Sequence, residues 1–332
     1  MPTITYRRAG VDVLRAASWI ESIKPLAKRT YRPGVLRGIG GFGGLFELGS
    51  WARKDGVLVA SADGVGTKLR IAQRVGRYDA LGVDLVAMNV NDILCAGAQP
   101  LFFLDYVAAG SMQPKVFTEI IRGIVRGCRE SRCALLGGET AQMPLLYRPQ
   151  DFDLAGFAVG VVRRSGLVTG ERIRPGDVLL GLASSGPHAN GLTLAQKVFS
   201  VPEQKRFSRE LLKATRIYVR PVLDLLRRAL PIHGMAHITG GSFAQKLGRI
   251  LPPGRSAVLE RMSWPIPPIF RRIQGAGVSE EEMYRTFNMG IGFVLVIPSA
   301  AVPKAQSRIK DHSLRSWVIG RIVTGRPQVV WR

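Results

Sequence analysis

The chain has 332 residues, enough to bury a sizeable core and, at ordinary domain sizes, to build two domains. Hydrophobic residues make up 46% of it, and every apolar run is broken by Gly, Asp or Arg short of the roughly 20 residues a membrane-crossing helix needs, which excludes a helical membrane protein. Lys and Arg total 47 against 24 Asp and Glu, a net charge of +23, so the surface field draws anions: nucleotides, sugar phosphates or nucleic acid. The basic residues are dispersed ("VRRSG", "LLRRAL", "FRRIQ") with no aromatic-rich ribonucleoprotein signature. That pattern favours a solvated Arg-rich face over a nucleic-acid patch.

In chain order, "DGVLVASAD" reads as a strand, "GTKLRIAQRVG" as a helix start and "GVDLVAMNVNDILCAG" as a helix. "PLFFLDYVAAG" reads as a strand, "PKVFTEIIRGIVRGCRES" as a helix, and "CALLGGET" and "LAGFAVGVV" as strands. In the long helix Val116, Ile120, Ile121, Ile124 and Cys128 share one face, with Pro114 at its start. The polar, Gly- and Pro-bearing stretch "RRSGLVTGERIRPGD" suits a domain boundary. A second mixed segment follows: strand "DVLLGLASSG", helices "NGLTLAQKVF" and "RIYVRPVLDLLRRAL", a loop and helix in "HITGGSFAQKLGRIL", and helix "PPIFRRIQGAG". Strand "GIGFVLVIP", helix "AAVPKAQSRIK" and strand "SWVIGRIVTG" complete an α/β mixture in both halves. Cys95, Cys128 and Cys133 form no CxxC pair, which suits reduced structural thiols better than a metal site. The opening "MPTITYRRAG" lacks the apolar core of a signal peptide, and the expected location is cytoplasmic.

The stretch "SADGVGTKLR" has the parts of a phosphate loop. Gly64 and Gly66 let backbone amides approach an anion, Thr67 stands where it can cap the next helix, and Lys68 adds a point charge. The spacing is not that of a Walker loop, GxxxxGK[ST], and a Gly-rich turn with a capping Thr accounts for the motif taken alone. Asp63 argues for more, because a carboxylate beside a phosphate cradle needs a cation such as Mg²⁺ to hold. "AMNVNDIL" adds Asn91 and Asp92, and "LLGGETAQMP" adds Gly137, Gly138 and Glu139 directly after an apolar strand, where α/β folds bind ligands. Asp63, Asp92 and Glu139 together are candidates for holding Mg²⁺ across ATP phosphates. In "SSGPHANG", Ser184, Ser185 and Asn190 offer neutral hydrogen bonds to a phosphate or sugar, and His188 titrates near neutrality; a single loop His is also a common structural element. "HITGGSF" and "IGGFGG" are further Gly-rich turns, the latter a candidate lid.

These blocks, with "AGVD", "ATRIYVRPVL" and "EMYRTFNMGIGF", resemble in order and over almost the whole chain the phosphoribosylformylglycinamidine cyclo-ligases, the AIR synthetases of purine biosynthesis. The resemblance implies a two-domain α/β (α+β) fold. Residues 1–165 would bind ATP and close an intersubunit β-barrel in a homodimer, and residues 166–332 would form the C-terminal domain. It implies ATP-dependent ring closure of formylglycinamidine ribonucleotide, with Asp63, Asp92 and Glu139 as Mg²⁺-ATP ligands and Gly64, Gly66, Thr67, Lys68, Asn91 and Gly138 around the nucleotide. Lys24, in "SIKPLAKRT", matches a lysine placed near the phosphates. His188 and Asn190 match the substrate loop, His188 as proton carrier, with Ser184 and Ser185 beside them. No membrane partner is implied, and nucleic acid is disfavoured because acids at the anion site oppose phosphate without Mg²⁺.

The chain departs from the family pattern in places. Gln142 and Arg8 stand where an acid is usual, and Gln245, Lys246 and Leu247 replace the usual residues of "GGGFxENIxR". The stretch "VPEQKRFSRELLKA" is shorter than usual. Thiamine-monophosphate kinase, of similar size and architecture, is the nearest enzymatic alternative, and the "PHANG" and "MYRTFNMGIG" blocks speak against it. A basic, non-catalytic nucleic-acid binder is the alternative of a different class; it predicts strongly salt-dependent binding.

Overall fold

A computed structural model describes residues 13–39, 45–53 and 55–332; Arg8 and most of the "IGGFGG" turn lie outside them. In the first half the elements are α1 (Val13–Lys28), β1 (Val35–Arg37), β2 (Leu45–Phe46), β3 (Gly56–Gly64), α2 (Lys68–Val75), α3 (Asp79–Leu94), β4 (Gln99–Ala109), α4 (Pro114–Ser131), β5 (Ala134–Gln142) and β6 (Phe152–Arg163). The second half holds β7 (Asp177–Ala183), α5 (Leu192–Val198), α6 (Val201–Arg206), α7 (Ser208–Leu211), α8 (Val219–Arg227), β8 (Gly234–His237), α9 (Ser242–Gly248) and β9 (Arg255–Leu259). It ends with α10 (Pro268–Gly275), α11 (Glu280–Thr286), β10 (Ile291–Pro298), α12 (Val302–Asp311), β11 (Ser316–Thr324) and β12 (Val329–Trp331).

Two sheets organise the molecule. The first runs β3-β6-β4-β5, and the second β12-β9-β11-β7-β10-β8; the 164–176 segment joins them. On β3 exposure alternates strictly, with Leu58, Ala60 and Ala62 exposed and Val57, Val59, Ser61 and Asp63 turned toward the helices, the period-2 signature of a half-buried strand. α3 packs across β3 and β6, and α4 packs on α3. The helix pair is tight: a Cβ on Gly82 would lie 2.0 Å from the Ile120 carbonyl oxygen, so only glycine fits there. On α4 Ile120, Ile121, Ile124 and Cys128 are buried as expected, whereas Val116 is only partly buried and Phe117 takes its place in the core; Pro114 opens the helix as expected.

Apart from α1, which was not expected, the long elements match the sequence reading to within a few residues. β8, β9 and β12 were not expected; each is five residues or fewer, too short for a period to register. β8 is buried at every position, so alternation could not betray it. Its consequence is local: His237, read as part of a loop, is the last residue of a strand.

The candidate active site at the junction of the two sheets

The register of the first sheet sets out the acids. Asp63 pairs with Gly156, Gly156 pairs with Asp105, and Asp105 pairs with Gly138, so Asp63 and Asp105 lie in one row on the helix-facing side. Glu139 is next along β5, opposite Tyr106, and therefore points to the other face. This corrects the expectation that Glu139 joins Asp63 and Asp92. Among the described residues no three His, Cys, Asp or Glu side chains come together as a metal site. Gly138 is there because of Asp105, whose Oδ1 would be 2.4 Å from an added Cβ. Burial drives the Asp105 carboxyl up to about 7, with the charge of Glu139 adding to the rise.

Asp63 and Asp92 lie near enough for the charge of one to act on the other. Asp63 is the penultimate residue of β3 and takes the Gly64 N–H on Oδ1 at 2.7 Å. Asp92, in the last turn of α3, holds Nδ1 of His237 at 2.8 Å through Oδ1. Partial burial pushes the Asp63 carboxyl up, the Gly64 N–H holds it down, and the neighbouring charge of Asp92 adds to the rise. His237 and Lys246 supply the opposing positive field. The second oxygen of each carboxylate takes no hydrogen bond among the described residues. Two carboxylates that each keep one oxygen without a protein donor fit a hard divalent cation such as Mg²⁺.

The Gly64–Thr67 loop keeps its glycines for stated reasons. Gly66 has φ +57° with open space around it, and a Cβ on Gly64 would lie 2.9 Å from the Leu154 carbonyl oxygen. Thr67 occupies the N-cap of α2 without making a side-chain cap; its hydroxyl meets that of Thr193 at 2.7 Å instead. Lys68 is the clearest departure from the sequence reading. Its side chain is wholly buried, with Nζ 2.8 Å from Asp84 Oδ2 and donating to the Lys213 carbonyl at 2.8 Å. Asp84 Oδ1 also accepts from the N–H and hydroxyl of Thr215, at 2.7 and 2.6 Å. The ammonium is thus committed to joining α2 and α3 to the second half, away from any phosphate. Lys24 pairs with Glu21 one turn back on α1.

The substrate-loop residues are likewise engaged with the backbone. Ser184 Oγ donates to the Gly186 carbonyl at 2.9 Å and Ser185 Oγ to that of Ala214 at 2.5 Å. Asn190 accepts the Gly240 N–H at 2.9 Å, tying this loop to "HITGGSF". Asn91 is buried, receiving the Tyr218 N–H at 2.9 Å and donating to the Arg216 carbonyl at 2.8 Å. His188 is fully buried, with φ +63°. Its Nε2 accepts from the N–H groups of Ser185 and Arg216, at 3.2 and 3.4 Å, and Nδ1 has no partner. Burial first, then the positive charges of His237, Lys68 and Arg216, hold His188 well below its ordinary pKa. In this arrangement it is a neutral ring clamping the 184–188 loop to residues 214–218, enclosed where a proton carrier would be open to the cleft.

Sequence reasoning missed His237 and Lys246. His237 was legible only as the residue before a Gly-rich turn. Lys246 stood out as a departure from the family pattern, with nothing in the sequence to say that its charge reaches Asp63.

Loops from both sheets meeting beside two carboxylates are the arrangement of an α/β enzyme. The N-terminal domain model of AIR synthase related proteins matches residues 45–162 and the C-terminal domain model residues 174–332. The phosphoribosylformylglycinamidine cyclo-ligase of Carboxydothermus hydrogenoformans is 48% identical, covering 99% of each chain. That of Thermosynechococcus vestitus is 48% identical over 98% of each. The chain belongs to the AIR synthase related family, in its cyclo-ligase branch. Among solved structures, thiamine-monophosphate kinase from Stenotrophomonas maltophilia aligns with TM-score 0.70 at 20% identity, covering 93% of this chain and 95% of that one. The hydrogenase maturation protein HypE in complex with ATP aligns with TM-score 0.69 at 16% identity, covering 95% and 90%. At such identities the likeness is one of fold.

Proposed function

We propose that this chain closes formylglycinamidine ribonucleotide to 5-aminoimidazole ribonucleotide at the expense of ATP. The observation that carries this reading is the 48% identity across 99% of both chains with a protein named for that reaction. The formyl amide oxygen attacks the γ-phosphorus of ATP, and the bond from that phosphorus to the ADP oxygen breaks. The amidine nitrogen then attacks the activated carbon, the carbon–oxygen bond breaks with loss of phosphate, and the nitrogen gives up a proton. Such chemistry needs alignment and neutralised charge more than a protein nucleophile. No Ser-His-Asp or Cys-His relay is needed for it.

Asp63 and Asp92 would hold Mg²⁺, which supplies charge neutralisation at the phosphates when bound. Gly64 and Gly66 let the loop backbone approach the nucleotide. His237 fixes Asp92 through their 2.8 Å contact, and His188 keeps the substrate loop in register. The reading extends to a homodimer in the cytoplasm. Leu58 and Phe157 are 56% and 42% exposed on the sheet face away from the helices, where a second copy would cover them. Phe157→Asp is expected to give a monomer by sedimentation velocity, and an unchanged mass would remove that part of the reading.

The test of function is turnover of formylglycinamidine ribonucleotide with Mg-ATP, following ADP and the imidazole product together. Equal formation of both, lost in Asp63→Asn, supports the cyclo-ligase and the role of this acid. ADP formation without imidazole would instead make the chain a phosphotransferase on another acceptor.

A further inference from the structure

At the opposite end of the first sheet lies a cavity that the ring-closure chemistry does not use. It measures about 640 Å³ and is walled by the loop that follows α1, the end of α4, the start of β4 and α8. Gln99, on its wall, pairs with Val161, whereas Asp105, in the row of Asp63, pairs with Gly156. Six residues of strand therefore separate Gln99 from the row of Asp63, about 20 Å.

Its lining is strongly one-signed. Arg29, Arg32, Arg129, Arg132, Arg220 and Arg227 all face it, against one carboxylate, Asp224. Asp224 is already engaged by Arg228 at 3.1 Å and lies 3.8 Å from His312. Two of the arginines are held in place: Arg32 donates to the carbonyls of Pro100 and Arg132 at 3.0 and 2.8 Å, and Arg220 to those of Glu130 and Arg129 at 2.7 and 3.0 Å. Arg29, Arg129, Arg132 and Arg227 make no ion pair among the described residues. An adjoining recess shares Arg29, Arg129 and Arg220 and adds Arg122 and Arg126, with Glu130 as its acid. The floor is buried and carries little charge, formed by Thr30, Cys128, Ser131 and Cys133. Like charges crowded around a desolvated floor repel unless an anion joins them. Guanidinium groups on several walls suit the spread oxygens of linked phosphates, which they grip bidentately. A cavity of this size suits a small molecule, and its concave form favours that over an extended strand.

We propose that this cavity is a second anion site, separate from the acid pair, that takes a small polyanion bearing two or more linked phosphate groups. The triple variant R129Q/R132N/R227Q tests it. None of these side chains supports the acid cleft, and Asn tolerates the positive φ of 55° at Arg132. Inorganic tripolyphosphate is titrated calorimetrically into the full-length protein without Mg²⁺, with orthophosphate and a single-stranded oligonucleotide as comparison ligands. Saturable one-to-one binding of tripolyphosphate, tighter than orthophosphate and weakened about ten-fold or more in the triple variant, is expected, with ring-closure turnover retained by the variant as proof of folding. Equal tripolyphosphate affinity in wild type and triple variant would overturn the proposal. So would oligonucleotide binding that depends on these arginines where tripolyphosphate binding does not, which would make the cavity part of a nucleic-acid surface.

Discussion

Two aspartates on one helix have opposite employment. Asp84 and Asp92 are eight residues apart on α3, just over two turns. Asp84 is sealed against Lys68 and Thr215, with Oδ1 accepting from both and Oδ2 2.8 Å from the same ammonium. Asp92 keeps 37% of its side chain exposed, with the charge of another carboxylate acting nearby. The first arrangement neutralises a charge to join two parts of a protein; the second leaves one carboxylate oxygen of Asp92 without a protein donor, so that a ligand can complete it. Function resides where the molecule has declined to satisfy itself, which is why the sealed pair and the open pair should respond differently to the same chemical change.

The largest difference is expected in catalysis. Asp92→Asn keeps the shape and removes the charge, so turnover should fall by about 10²-fold or more while circular dichroism and the unfolding midpoint stay near wild type; unimpaired turnover would take Asp92 out of the site. Lys68→Met should do the reverse. It strands Asp84 in the core at a cost of roughly 3–5 kcal/mol, readable in urea unfolding, and a stable, inactive Lys68→Met enzyme would restore the lysine to a direct role.

A smaller effect concerns Asp63. Its carboxyl is raised by burial and by Asp92, so ionisation works against folding at neutral pH. Asp63→Asn is therefore expected to unfold slightly later than wild type without Mg²⁺, and to gain less from added Mg²⁺. A variant that unfolds earlier under both conditions would mean that Asp63 is structural. The smallest effect is the pH response of His188. Its folded pKa lies well below the unfolded value of about 6.5, so the unfolded chain binds the extra proton first. The stabilising contribution is present above pH about 6.5 and is lost as pH falls from there toward the folded value. Denaturant midpoints measured across that range should fall less in His188→Asn than in wild type; parallel profiles would contradict the buried neutral ring.

Much of this arrangement could be read from sequence. Long elements with a clear period, such as α4 and β3, appear where their patterns put them, because each buries one face against a neighbour. The acids Asp63 and Asp92 were legible because each ends an element beside Gly or Asn. The fate of Lys68 was not, because a lysine after "GVGT" looks the same whether its partner is a phosphate or an aspartate sixteen residues on. Nor was the face on which Glu139 sits, since β5 carries a register shift against β4 that sequence spacing does not announce. His237 escaped notice because its strand is four residues long. The arginines of the cavity come from α4 and α8 and the loops that follow α1 and α4; scattered in the chain, they were read as a solvated face.

The contacts that cross between the two halves have a consequence for how the chain can be made. Lys68 and Asp84 grip residues 213 and 215, Asn91 grips Tyr218, and Asp92 grips His237, and none of these depends on the 164–176 connection. Two separately expressed fragments, cut within that connection, should find one another and assemble into the working fold, with the covalent link serving mainly to raise their local concentration.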